Sequence, residues 1–146
     1  MSKPANPVEI TDNLPDQTIQ RSNTDNAPRS AIHQTLYSAD TFAQHDYLAG
    51  KNLPDIARPQ EGQIDWLHFV GINDAALLKH ALEPYGIHEL VIEDILSRKQ
   101  RPKIEDYGSY VFTAAQVYHY TSTGKLHSDQ VYVIIGKDFV LSFQQK

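Results

Sequence analysis

No cysteine occurs among the 146 residues, which excludes disulfides and thiolate metal sites and suits a reducing compartment. Long apolar runs are missing too. The longest, Val-Tyr-Val-Ile-Ile at residues 131–135, has five members, whereas a membrane-spanning helix needs about 20. The first 30 residues lack a basic start followed by an apolar stretch, so no secretory signal is expected. There is no excess of positive charge: 13 Lys and Arg against 18 Asp and Glu give a net charge of -5. Nonspecific nucleic-acid binding depends on neutralising phosphates, and this balance argues against it.

Enzyme signatures are equally scarce. The sequence has no glycine-rich phosphate loop, no Gly-x-Ser-x-Gly elbow and no cysteine nucleophile, so it does not read as an enzyme. Seven histidines (His33, His45, His68, His80, His88, His119 and His127) invite a zinc site. None of them forms a His-Glu-x-x-His motif or an i, i+4 helical pair, and they are read as capping, packing or surface residues, with His88 placed to cap or pack. The basic run Arg98-Lys-Gln-Arg-Pro-Lys103 is read as complementing a helix C-terminus rather than as a nucleic-acid patch.

What is present is enough for one ordinary globular domain: 40% hydrophobic and 21% charged residues. Residues 1–30 hold four of the eight prolines with many Asn, Asp, Ser and Thr, and are expected to be a disordered or loosely docked tail. Residues 31–146 form the expected domain. Residues 31–48 suggest a strand pair or a strand with a short helix, and a Pro- and Gly-containing loop follows over residues 50–62.

Residues 64–70 (Ile-Asp-Trp-Leu-His-Phe-Val) read as a strand ending at Gly71. Asn73 or Asp74 then caps a helix with an apolar stripe at Leu77, Leu78, Ala81, Leu82 and Tyr85, strained by Pro84 and stopped by Gly86. A second short helix over residues 88–96 turns Leu90, Val91 and Ile95 inward and Glu93 and Asp94 partly away. Strands follow at 110–120, 129–135 and 139–143, the last two joined as a hairpin through residues 136–138. The expected fold is therefore mixed α/β (α+β), a largely antiparallel sheet with short helices. Consecutive apolar positions at 131–135 and 139–141 ask for cover on both sheet faces. Two short helices cannot supply it, so either another subunit or sequence beyond Lys146 does, and the second is expected.

Several blocks in order carry a family resemblance: Gly86-Ile-His-Glu-Leu-Val-Ile-Glu-Asp-Ile-Leu96, Gln100-Arg-Pro-Lys-Ile-Glu105, Tyr110-Val-Phe112, Ser128-Asp-Gln-Val131 and Phe139-Val-Leu-Ser-Phe-Gln-Gln-Lys146. Over about 80 residues they resemble the cytosolic domain of the CorA family of magnesium and cobalt transporters. The first 60 residues contribute nothing to the likeness. The resemblance implies an αβα cytosolic domain, a pentameric funnel with a stalk helix, and two membrane helices entered at a Gly-Met-Asn motif. The present sequence has no Gly-Met-Asn, stalk or membrane segment, so conduction does not carry over. Metal sensing and assembly as a homo-oligomer, on the cytoplasmic side of the inner or plasma membrane, do carry over as expectations.

By position, the family's acidic pair falls on Glu93 and Asp94. These are the expected ligands for a regulatory Mg2+, with Co2+ also accepted, and an acidic residue of a neighbouring subunit's stalk completes the site. Adjacent helical residues diverge by about 100°, so the two line an interface rather than chelate one bare ion. Two alternatives are kept: a freestanding interaction module with this fold, and a small hydrolase whose site has no motif.

Overall fold

A computed structural model describes residues 30–48 and 52–145; the tail expected at residues 1–30 lies almost wholly outside them. Seven strands form one sheet: β1 (Ala31–Tyr37), β2 (Phe42–Leu48), β3 (Ile64–Val70), β4 (Lys103–Asp106), β5 (Tyr110–Tyr120), β6 (Leu126–Gly136) and β7 (Phe139–Gln144). Two helices, α1 (Ala75–Leu82) and α2 (Glu89–Ser97), lie between β3 and β4. The strand order is β2-β1-β3-β7-β6-β5-β4, and every neighbouring pair is antiparallel except β3 with β7. The mixed, largely antiparallel fold class is therefore observed.

Period-2 burial explains which side the helices occupy. Ile32 in β1, Leu67 and Phe69 in β3, Leu141 and Phe143 in β7, Tyr132 and Ile134 in β6, and Tyr110, Phe112 and Ala114 in β5 share one face and are buried. Against them pack Leu78, Ala81 and Leu82 of α1 and Val91, Ile92 and Ile95 of α2. Phe69 and Phe143, opposed in the parallel register, stack with ring centroids 4.8 Å apart.

Local signals set the helix ends. Asp74 accepts hydrogen bonds from the Ala76 and Leu77 amides at 2.9 and 3.0 Å, capping α1. Pro84 enters the one-turn 3-10 helix Glu83–Tyr85, where its missing N–H costs nothing, and Gly86 closes it with φ 65. His88 Nδ1 accepts from the Leu90 amide at 3.1 Å and so caps α2.

Three expectations need correction. Leu90 points outward and is 56% exposed, and Ile92 takes its place inside. Around a helical wheel Val91, Ile92 and Ile95 fall on one arc, and Leu90 lies opposite. Residues 103–106, left unassigned from the sequence, form β4 on the sheet edge. The strand placed at 129–135 begins three residues earlier, at Leu126.

At the other end of the covered face a polar network replaces the apolar core. Gln34 and Asp65 are both buried. The Tyr85 hydroxyl donates to Asp65 Oδ2 at 2.6 Å, and Gln34 Nε2 donates to Asp65 Oδ1 at 2.9 Å and to the Ala57 carbonyl at 2.7 Å. Tyr47 donates to Gln34 Oε1 at 3.0 Å. The network ties β1, β2, β3, the 57-loop and the end of α1 together. Burial first, and then the Asp65 carboxylate, hold the Tyr85 hydroxyl protonated far above its usual range.

The opposite sheet face carries no helix among the described residues. Val111, Val131, Val133 and Val140 are half-buried on it, while Trp66, Ile104 and Ile135 are exposed. Near its middle Ser142 Oγ accepts from Trp66 Nε1 at 3.0 Å and meets His68 Nδ1 at 2.8 Å, and His68 stacks on His33, its cross-strand partner.

Partial burial, and then His33, lower the His68 pKa below 6.5. The unfolded chain therefore binds a proton that the folded chain refuses. The corresponding stability is full above about pH 6.5 and is lost as the pH falls toward the folded pKa. Replacing His68 with Asn should reduce the fall in melting temperature between pH 7.5 and 5.5; an unchanged pH profile would remove His68 as the cause.

Candidate functional site

The two acidic residues singled out from the sequence sit on α2 but in different surroundings. Glu93 is exposed. Asp94, one step round the helix, leans toward the sheet edge, with its side chain 23% exposed. Its Oδ2 lies 2.7 Å from Lys103 Nζ in β4, and its Oδ1 accepts from Gln100 Nε2 at 2.8 Å. The helix thus presents one carboxylate to solvent and uses the other as an anchor.

Both anchoring partners come from the segment that reverses the chain after α2. Arg98, in the left-handed conformation at φ 57, ends the helix and hydrogen-bonds Asn73 ahead of α1. Gln100 then exchanges hydrogen bonds with Gln130 of β6: its amide donates to Gln130 Oε1 at 3.2 Å, and its carbonyl accepts from Gln130 Nε2. With the segment fixed in this way, Lys103 enters β4 on the covered face. Its ammonium also reaches Glu105 Oε1 at 3.1 Å and lies 5.5 Å from the Phe112 ring centroid. The hydrogen bond with Asp94, and then that with Glu105, raise the Lys103 pKa.

This geometry revises the reading of the basic run. Only its first members lie at the helix end; Lys103 is a strand residue whose charge is matched to Asp94 and Glu105. Neither Gln100 nor Lys103 was singled out from the sequence as a contributor to the site. Their place in the next block of the family likeness, Gln100–Glu105, directly after the block with the acidic pair, was the available signal. Tyr132 completes the neighbourhood: its hydroxyl is buried without a hydrogen-bond partner among the described residues, and burial, followed by Asp94, raises its pKa.

Chemically, the arrangement offers a surface carboxylate at Glu93 and a half-sheltered one at Asp94 whose charge a lysine already balances. Among the described residues no group of three or more His, Asp or Glu side chains is set to hold a metal ion. A dication reaching Asp94 would have to draw it from Lys103 or share it through water. Magnesium, which keeps several waters and takes one or two carboxylates, suits such sharing.

An open cleft of about 720 Å³ lies elsewhere, lined by residues 53–59, Asp65, His80, Glu83 and Tyr85 among others. Among the described residues its lining contains no serine, threonine or cysteine, so these residues supply the hydrolase alternative with no acyl-transfer nucleophile there. No described helix is long and apolar enough to cross a membrane.

Comparison with known proteins places these residues in context. The family model described as "CorA-like Mg2+ transporter protein" matches residues 61–146. A cobalt/magnesium transport protein CorA of Thermotoga maritima is 40% identical over 82 residues, covering 56% of this chain and 23% of that protein. The putative metal ion transporter YfjQ of Bacillus subtilis is 34% identical over 104 residues, covering 68% of this chain and 30% of that protein. The chain therefore spans less than a third of either relative. Among solved structures, the CorA magnesium transporter from Methanocaldococcus jannaschii shares the fold with a TM-score of 0.56 at 10% identity, covering 77% of this chain and 31% of that one. The full-length CmaX protein does so with a TM-score of 0.56 at 15% identity, covering 86% and 37%.

The Asp94 contacts carry a stability consequence. Replacing Asp94 with Ala removes two charge-assisted hydrogen bonds and should cost about 1–3 kcal/mol. Replacing Glu93 with Ala should stay within about 0.5 kcal/mol. Urea denaturation midpoints of the two variants check the contrast, and equal midpoints would contradict the anchoring role.

Proposed function

Because the chain belongs to the CorA family of Mg2+-transporter-like proteins, we propose that it forms the metal-responsive, assembly-forming part of a divalent-cation transporter on the cytoplasmic side of the membrane. In this reading it does not conduct ions by itself. Conduction falls to membrane helices outside these residues, and the working unit is a homo-oligomer, with a pentamer expected.

The observation that carries the proposal is the position of α2. It lies inside the matched region, with Glu93 exposed and Asp94 beside it partly exposed; in this reading a neighbouring protomer's carboxylate meets the pair through a hydrated ion. With metal present, the bridged carboxylates attract across the interface. Without it, like charges repel and the protomers part, biasing the pore toward opening. Mg2+ suits carboxylate oxygens shared through water, and Co2+ is accepted because affinity for divalent ions rises along the first transition row.

The open sheet face supports the same reading. A layer from the remainder of a longer polypeptide, lying on Val111, Val131, Val133, Ile135 and Val140, would complete an αβα arrangement. A freestanding interaction module is the second reading, and the same apolar face would then dock another protein.

Half of the proposed site comes from another protomer, and Lys103 already occupies Asp94. The isolated chain should therefore bind Mg2+ only at about millimolar affinity or weaker. Calorimetry showing a saturable micromolar Mg2+ site on the 146-residue chain would contradict this. In the full-length transporter, replacing Asp94 with Ala should weaken Mg2+-dependent closure, with Glu93→Ala acting in the same direction; Mg2+ inhibition of transport that is unchanged in both variants would overturn the assignment.

A further inference from the structure

The β5–β6 hairpin outgrows its sheet. β4 pairs with β5 only as far as Ala114, and β7 pairs with β6 only from Val131. Residues 115–130 therefore project as a two-stranded ribbon. A ribbon of this kind is marginally stable alone, and its side chains have room to adjust.

On one face of this ribbon His119 and His127 stand directly opposite each other in the antiparallel register. Their ring centroids are 5.2 Å apart and the rings meet edge to face. Asp129, two residues beyond His127 and on the same face, reaches both: its Oδ2 is 3.6 Å from His119 Nδ1 and its Oδ1 is 3.5 Å from His127 Nε2. Both imidazoles are about half exposed, while the carboxylate is more sheltered.

Those two separations are long for hydrogen bonds. We propose that His119 and His127 form a two-imidazole site for a first-row transition dication such as Zn2+, Ni2+ or Co2+, with Asp129 orienting the imidazoles. Water fills the remaining positions. In sequence the two histidines are eight residues apart and match no helical metal motif; the strand register brings them together.

The site differs in kind from the carboxylates of α2. Imidazole nitrogen suits zinc, nickel and cobalt, whereas magnesium keeps to oxygen donors and water. The ribbon therefore distinguishes a transition dication from Mg2+, which Glu93 and Asp94 cannot do. It does not depend on the function proposed for α2, and either can fail without the other.

The test is calorimetric titration of the 146-residue chain with ZnCl2 and with NiCl2, in a large excess of MgCl2. One metal ion per chain should bind, with an affinity that magnesium does not reduce. His119→Gln and His127→Gln should each weaken binding by about 100-fold and Asp129→Asn by about 10-fold, with unchanged circular dichroism showing that the fold persists. The paired change His33→Gln with His68→Gln, which removes the other cross-strand histidine pair, should leave the affinity unaltered. Absence of a saturable site, or an affinity unaffected in the His119→Gln/His127→Gln double variant, would overturn the proposal. Loss of binding in the His33→Gln/His68→Gln variant would overturn it as well, by moving the site.

Discussion

The parallel seam between β3 and β7 governs the arrangement of everything else. On either side of it lie antiparallel strands: β2, β1 and β3 on one flank, β7, β6, β5 and β4 on the other. Parallel neighbours cannot be joined by a tight turn, because the chain must return to the end from which the first strand began. The return here takes in α1, α2 and three strands before β7 reaches β3. Both helices lie in that crossover and come down on the same face. Stacking of Phe69 on Phe143 and the Leu67–Leu141 pairing weld the seam beneath them.

From this constraint the position of α2 follows. The helix has Val91, Ile92 and Ile95 as its buried stripe, so its remaining arc must face solvent or the sheet edge. Asp94, beside Ile95, borders the stripe and faces β4; Glu93 lies farther out. A one-residue step thus separates an anchored carboxylate from a free one. Among the described residues the same constraint leaves the second sheet face without a helix, with half-buried valines in its centre and an exposed isoleucine at Ile104 on its edge strand.

Much of this was legible where local chemistry and burial agree. The alternation in residues 64–70, the Asp74 cap and the Gly86 stop each gave an element that the structure contains. The hairpin of β6 and β7 was legible from its two apolar runs and the short turn between them. β4 was not, because Lys103, Ile104, Glu105 and Asp106 form only four residues and carry no buried apolar side chain. Their strand character comes from pairing with β5, a tertiary cause. Leu90 is apolar, yet helical phase puts it outside, so hydrophobicity alone misplaces it. The acidic pair was found through family likeness, while the Lys103 and Gln100 contacts depend on the turn after α2 and have no signature of their own. The opposition of His119 and His127 likewise depends on hairpin register, which sequence spacing alone does not reveal.

The contact between Lys103 and Asp94 changes how a metal response at α2 is understood. A carboxylate left bare would attract any passing cation, and its occupancy would rise without a threshold set by the protein. Here a monovalent cation is already tethered 2.7 Å away, supplied by the same chain and therefore present at fixed effective concentration. Under the proposed function a dication would have to compete with it, and magnesium gives up its water reluctantly. The balance tips toward the dication only when a second carboxylate shares the ion, since two negative charges hold a hydrated 2+ ion better than one can. In the proposed assembly that second carboxylate belongs to a neighbouring protomer. Under that proposal metal binding and contact between protomers would be a single event, and the lysine would set the concentration at which it occurs.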